Sequence, residues 1–427
     1  MDSGKTNSSF SLKPRLFYGW YIVAASWMMA FLITGTSVGI FFKPLLDEFG
    51  WDRATLSMVS AIAMLVFAGF SPFLGRLIDR FGPRAMLLVG SVAQILSNVS
   101  NGLASGLVGI YIGRFLYELK PTHSTQVLIN HWFVKNRGKA LGILSTGVPL
   151  GTLLLSPFSQ YLILVWGWRL TMFFWAGVTA VMVLPLLLLI RDKPEQKGLV
   201  PDGKYSDVQH LKKPSPYLHN TTPIKLPEHP GQSLAQAIKN RSLWLISATH
   251  LICGIGCGLI GTHTVIFATD LGYSAIIGAS FLSVQGGVSL FGVLVTGHMS
   301  DRMARNLVLT MTHFIRSLSF VLLVVAIVFH GSLWVLYLAM ALFGFGWFTT
   351  SPLVGGLVAD LYGNLRMGTI LGVLLACHIV GMSIGTYAGG ISYQLTHSYF
   401  SIFLIQSILE FLAAVLAFSI IKKHHTS

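Results

Sequence analysis

In the run Arg114-Phe-Leu-Tyr-Glu118-Leu-Lys120-Pro121-Thr-His123, two cations, a carboxylate and a histidine fall within one otherwise apolar segment. Charges in such surroundings are costly unless they are paired or used. Arg114 and Glu118 stand four apart, share one helical face and can neutralise each other. Lys120 lies two residues past Glu118, roughly 200° further round a helix that turns about 100° per residue, and so faces away from that pair. Its face is expected to carry Tyr117, His123 and Ser124, and Pro121 cannot donate to the Tyr117 carbonyl. The implied chemistry is an internal ion pair on one face and, on the other, an anion site built from Lys120, Tyr117 and His123. The alternative is that Lys120 pairs with Glu118 through a bent helix, or with a carboxylate such as Asp360 on another segment.

Three further histidines, His250, His263 and His378, sit in apolar runs, and imidazole changes charge near neutral pH. His250 and His378 are candidates to bind substrate, and His378 and Glu118 are rival candidates to carry a proton. Tyr21, Trp27, Trp347, Tyr387 and a kink at Gln285-Gly286-Gly287 are expected to shape a small apolar cavity, with Tyr387 in the substrate site. Cys253 and Cys257 are one turn apart with His250 on the same face. Nothing supplies the acidic ligand that would complete a zinc site, so packing is expected, with no metal and no cofactor. The three cysteines are too few for a disulfide framework.

Elements that cross a membrane must position these groups. The 427 residues are 53% hydrophobic and 10% charged, far below the charge of soluble chains. Roughly 20 apolar residues cross a bilayer as a helix. Twelve such spans are read at about 18–42, 54–76, 84–105, 108–131, 139–163, 169–190, 241–269, 275–298, 306–329, 332–358, 367–392 and 399–421. The net charge of +14 would suit a nucleic-acid partner, but its distribution does not. Of the 29 Lys and Arg, 23 fall in loops on one side, and only Lys43, Arg53 and Arg169 lie in the opposite ones. This positive-inside pattern places both termini and the central loop in the cytoplasm, in a multi-pass protein of the cytoplasmic (inner) membrane whose partner is the lipid bilayer rather than nucleic acid. Met1 to Arg15 is polar and the first apolar run is long enough to stay as a span, so no cleavable signal peptide is expected. Asp192 to Lys239 holds seven of the 16 prolines and reads as a linker. The expected organisation is an N-terminal six-helix half at 1–191, a cytoplasmic linker at 192–239 and a C-terminal six-helix half at 240–427, with Ser233 capping a short helix before Trp244.

The halves echo each other. Gly75-Arg-Leu-Ile-Asp79-Arg80-Phe-Gly82-Pro-Arg84, between spans two and three, returns as Gly297-His-Met-Ser-Asp301-Arg302-Met-Ala-Arg305 between spans eight and nine. Arg137-Gly-Lys-Ala-Leu-Gly142 returns as Arg366-Met-Gly-Thr-Ile-Leu-Gly372. Each of these introduces a glycine-spaced span, with Gly147 and Gly151 in span five and Gly381, Gly385 and Gly389 in span eleven. Such spacing lets helices approach closely, and it suits either a moving interface or static packing.

Gly75, Asp79, Arg80, Gly82 and Arg84 resemble the loop motif of the major facilitator superfamily, and Gly297, Asp301 and Arg302 its degenerate second copy. Tyr18-Gly-Trp20, Trp132-Phe-Val-Lys-Asn-Arg-Gly-Lys-Ala-Leu-Gly142 and the linker helix before Trp244 look like the monocarboxylate-transporter and oxalate/formate-exchanger branch. The resemblance implies an all-α membrane protein with twelve transmembrane helices in two six-helix pseudo-symmetric halves, the major facilitator fold. It also implies that the hairpin Asp and Arg residues brace the helix ends in one state of the cycle. Counted from Gly372, His378 falls where the exchangers place an intramembrane lysine. The branch's span-eight arginine is missing, because Val293 and Ser289 stand where it and its acidic neighbour would be.

The function expected is that of a secondary carrier rather than an enzyme. It would act as a monomer, moving a small organic anion such as a monocarboxylate by alternating access with proton coupling. A carrier or exporter of a larger or neutral compound, a drug or siderophore, is the alternative that the empty span eight favours. A non-transporting sensor would need a soluble signalling domain, and an ATP-driven pump a Gly-x-x-x-x-Gly-Lys-Ser/Thr loop. Neither is found.

Overall fold

The computed structural model describes residues 17–119, 122–134, 136–203, 234–329, 332–362 and 367–420. The first span is Gly19–Leu32 and Val38–Phe49, joined by a 3₁₀ turn at Ile33–Thr36; the second is Arg53–Phe81 and the third Pro83–Leu103. The fourth comprises Leu107–Glu118 and Thr122–Trp132, while Arg137–Ser145 runs on into Gly147–Leu189 to form the fifth and sixth. The C-terminal half follows as Arg241–Asp270, Ala275–Arg302, Arg305–Val328, Leu333–Trp347 with Thr350–Tyr362, Met367–Thr396 and Phe400–Phe418. Among the described residues, ten helical stretches are individually long and apolar enough to cross a membrane. They amount to twelve passes, because Gly167, at φ 78°, breaks the fifth from the sixth and the fourth is divided into two short helices. The Gln285-Gly286-Gly287 kink does not occur: span eight runs unbroken through all three residues.

The two halves are fastened alike. A Cβ on Gly147 or Gly151 of span five would strike the backbone of span one at Trp27 and Phe31. A Cβ on Gly381 or Gly385 of span eleven would strike the Leu251 and Ile255 carbonyls of span seven, and Gly254 and Gly258 of span seven lie equally close to His378 and Met382. The contacts of these glycines lie inside each half. Backbones that touch in this way gain dispersion over a long line and leave no room for a side chain.

Other glycines touch across the halves. Gly39 faces the Gly261 carbonyl, Gly286 the Pro149 carbonyl, and Gly390 the Arg53 carbonyl and Ser57. Beside them Met64, Phe67 and Ala68 of span two pack on Ile379 of span eleven, and Ile40, Phe41 and Phe42 share a buried cluster with Val265, Ile266 and Leu282. These contacts lie at mid-depth or at the end of the bundle opposite the two charged hairpins. Nearer the hairpins, a Cβ on Gly69, Gly142, Gly297 or Gly372 would meet nothing within 4 Å.

Gly258→Leu is expected to separate spans seven and eleven and to cost about 1–3 kcal/mol of overpacking, read as a lowered melting temperature of the detergent-purified protein. Gly297→Leu, in open space, is expected to leave it unchanged.

Candidate functional site

Span four is broken at mid-membrane. Its first helix ends at Glu118, Leu119 leaves helical geometry with ψ 9°, and helix resumes at Thr122. By sequence, Pro121 brings no backbone donor with which the first helix could continue. Arg114 and Glu118 are both buried and joined at 3.2 Å between Nη2 and Oε1. The Arg114 guanidinium lies 4.6 Å over the Tyr117 ring. Tyr117 therefore belongs to the Arg114 face, not to the opposite one where the helical wheel put it: three residues on, it falls one turn along and stacks on the cation. Lys120 lies outside the described residues, as does the side chain of His123.

Span one is broken at the same depth. Its 3₁₀ turn frees carbonyls that are bonded again from side chains. Thr34 Oγ1 donates to Phe31 O at 2.8 Å, Thr36 Oγ1 to Ile33 O at 3.3 Å, and Ser159 Oγ of span five to Gly35 O at 2.7 Å. Broken helices at membrane depth occur where they are buried in protein or line a cavity.

In the C-terminal half, His250 and His378 come together with ring centroids 4.9 Å apart, and His378 Nδ1 is 3.2 Å from the His250 carbonyl oxygen. His378 is half-buried and His250 buried. Tyr387 is not with them. It lines a surface groove between spans eleven and twelve with Ile384, Ile391 and Ile405, which removes it from the predicted cavity. Trp27 is engaged in packing span one on span five, its Nε1 donating to Thr146 Oγ1 at 3.0 Å. Asp360 pairs with Arg305 at 2.5 Å. His263 is held between the Tyr399 hydroxyl and the Thr386 carbonyl.

Sequence reasoning missed the most deeply buried charge cluster. Arg316 of span nine and Glu410 of span twelve are both 0% exposed and paired at 2.8 Å. His313 Nδ1 is 2.8 Å from the other Glu410 oxygen, and Arg316 Nη2 also donates to the Cys253 carbonyl at 3.0 Å. Gln406 completes the cluster by donating to the Ile252 carbonyl at 3.1 Å. Cys257 Sγ lies 3.6 Å from Arg316 Nη1, so the two cysteines line this cluster. The signal was present as one arginine and one glutamate inside apolar runs, but nothing in the spacing joined two segments 94 residues apart.

The two halves are latched at the end opposite the hairpins. Arg53 makes a bidentate pair with Asp270, at 2.6 and 2.7 Å, donates to the Tyr399 hydroxyl and stacks 3.4 Å over the Tyr393 ring. Ser383 Oγ donates to the Ala61 carbonyl below it at 2.9 Å. At the hairpin end each described anchor stays within its own half. The Arg84 amide donates to Asp192 Oδ1 at 2.7 Å, and Arg305 pairs with Asp360. Gly82 holds φ 84° with that Asp192 carboxylate about 3 Å from where a Cβ would be. The second hairpin turns instead through Met303 at φ −122°, so it needs no glycine. Arg80, Asp301 and Arg302 are exposed, and the side chains of Gly75 and Asp79 are outside the described set.

The model of the Major Facilitator Superfamily matches residues 22–386. The chain belongs to that superfamily. It is 26% identical over 408 residues to a protein of Bacillus subtilis named as an uncharacterized MFS-type transporter, covering 93% of this chain and 94% of that one. It is 24% identical to monocarboxylate transporter 13 of Rattus norvegicus, over 91% of this chain and 85% of the relative. Among solved structures it resembles a D-xylose-proton symporter, at TM-score 0.73 and 14% identity over 95% of this chain and 98% of the other. It also resembles a bacterial homolog of the human lysosomal transporter Spinster, described as inward-facing and unoccupied, at TM-score 0.64 and 17% identity over 95% and 97%. These likenesses establish the twelve-helix facilitator architecture of a membrane transporter, not an enzyme.

Arg53→Gln is expected to raise the labelling rate of a Ser57→Cys reporter by an impermeant thiol reagent about tenfold, a shift of about 1.4 kcal/mol in the closed population. Glu410→Gln leaves a buried guanidinium uncompensated and is expected to cost about 3–5 kcal/mol, with much of the loss recovered in Arg316→Met/Glu410→Leu. Thermal unfolding of the purified variants checks both.

Proposed function

We propose that this transporter is a proton-coupled carrier of a small organic anion, of monocarboxylate size, working by alternating access in the cytoplasmic membrane. The observation that carries the anion reading is the charge balance within the spans. Arg114 is closed by Glu118 and Arg316 by Glu410. Away from the span ends, the sequence thus places three cations, Arg114, Lys120 and Arg316, against two carboxylates, Glu118 and Glu410, a surplus of one positive charge that an anionic substrate would balance. By sequence Lys120 falls between the two helices of span four, and a divided helix beside a charge is the usual setting of a carrier's substrate site. The similarity to monocarboxylate transporters supports the same reading.

In this reading Lys120 meets the carboxylate from the N-terminal half, with Tyr117 and His123 near it. The His250–His378 pair approaches from the C-terminal half, replacing the missing span-eight arginine. Glu118 and His378 take the coupled proton. With the hairpins on the cytoplasmic side, latching by Arg53 and Asp270 at the other end corresponds to an inward-open arrangement, and Asp79, Arg80, Asp301 and Arg302 brace the hairpin end when the halves rock. The units that rock are residues 1–191 and 240–427, joined by the 192–239 linker, in a monomer. A carrier of a neutral or larger compound is the second reading. It rests on span eight, where Ser289 is buried without a partner and Val293 offers no charge.

Proteoliposome uptake of labelled lactate, pyruvate, formate and oxalate decides between these readings. Lys120→Ala is expected to lower uptake at least about tenfold, equivalent to about 1.4 kcal/mol of substrate interaction, while Lys120→Arg retains more of it. An inwardly acid gradient is expected to slow uptake and an outwardly acid one to speed it, an effect lost in Glu118→Gln or His378→Gln. Transport of neutral compounds alone, with every carboxylate excluded, would overturn the anion reading.

A further inference from the structure

Inside the N-terminal half, between spans one, two, three, four and six, lies a cavity of about 30 Å³. One side of its wall is apolar, with Phe41, Phe42, Leu45 and Met172. The other side is Thr36, Ser60, Asn98, Asn101, Arg114 and Tyr117. Asn98, Asn101 and Arg114 are each more than nine-tenths buried, and four of their polar atoms have no hydrogen-bond partner: Asn98 Nδ2, Asn98 Oδ1, Asn101 Oδ1 and Arg114 Nε. Buried polar groups in folded proteins are otherwise nearly all satisfied.

We propose that this cavity is a built water site. The four atoms are two donors and two acceptors, the complement of one water molecule, which offers two hydrogens and two lone pairs. An anion would require donors alone, and Asn98 Oδ1 and Asn101 Oδ1 would repel it. The volume suits the same occupant, since a cavity holds a water once it exceeds roughly 10–15 Å³ on this measure, and two to four polar partners retain it. The unwound turn of span one, Ile33–Thr36, borders the cavity at Thr36, and irregular backbone at this depth belongs beside protein or water.

The water does something specific to Arg114. That guanidinium reaches Glu118 through Nη2 and rests on Tyr117 by its plane, and the water takes its remaining buried edge at Nε. The cation is thereby fixed in orientation from three directions. The site stands whether or not Glu118 carries a proton, so failure of the coupling proposal would leave it untouched.

Radiolytic hydroxyl-radical labelling of the purified full-length protein in nanodiscs tests the assignment, because radicals formed from a trapped water oxidise its neighbours irrespective of solvent exposure. Met172 lines the cavity and is 5% exposed, while Met340 is 2% exposed in an apolar cluster and serves as the internal control. The expected result is oxidation of Met172 at least fivefold faster than of Met340, falling to the Met340 rate in Asn98→Leu, which fills the cavity. Equal rates in the wild-type protein would overturn the proposal, and need no variant to fold. An Asn98→Leu protein that elutes normally and still oxidises Met172 rapidly would also overturn it. Replacing chloride by gluconate is expected to change nothing; a rise in Met172 oxidation on chloride removal would identify a halide as the occupant and overturn the water assignment.

Discussion

The bilayer core offers no water to hydrogen-bond, so each polar group placed there must find its partner within the protein. This constraint organises the molecule more than any single contact. Where the chain stays helical the backbone meets it at no further cost. Where span one unwinds at Ile33–Thr36, three hydroxyl side chains take up the released carbonyls. Where a charge is buried it is closed locally, Arg114 by Glu118 one turn away and Arg316 by Glu410 from another helix. Such pairs contribute little net stability against an apolar replacement, yet losing one partner is expensive. The Arg316–Glu410 pair therefore ties span nine to span twelve.

Close backbone packing divides the bundle into parts that hold and parts that yield. Span five lies against span one, and span eleven against span seven, through glycines whose Cβ atoms would have no space. The same pairing in both halves reflects the repeat of the fold, and it makes each half a firm body. Between the halves the contacts gather at mid-depth and at the latched end, mixing an apolar seam at Phe67 and Ile379 with the Arg53–Asp270 pair. The half-to-half seam has backbone-level contacts of its own, at Gly39, Gly286 and Gly390, and these keep to the same depths.

Much of this fold is legible in the sequence because apolar length and hairpin charge report directly on the bilayer. Twelve spans, the break between the fifth and sixth and the repeated Asp-Arg hairpins all follow from one-dimensional patterns. The Arg114–Glu118 pair was equally readable, being four residues apart. What was not readable depended on distance in sequence or on local geometry finer than the wheel. Arg316 and Glu410 meet only because spans nine and twelve pack together. Tyr117 stacks on Arg114 although a two-face division of the helix separates them. Tyr387 shares a helix with His378 but turns toward span twelve. The span-eleven glycines signal closeness without saying to which neighbour, and span seven, in the same half, is the one they touch.

The latch has a property that follows from where it sits. Arg53 and Asp270 are 14% and 21% exposed at the rim of the closed end, within reach of dissolved ions. Over a Debye length of about 8 Å in physiological salt, ions screen such a pair, whereas Arg316 and Glu410, fully enclosed, are beyond their reach. Ionic strength on one face of the membrane alone therefore acts on the strength of this contact between the halves. The same salt leaves the enclosed pair that ties span nine to span twelve untouched.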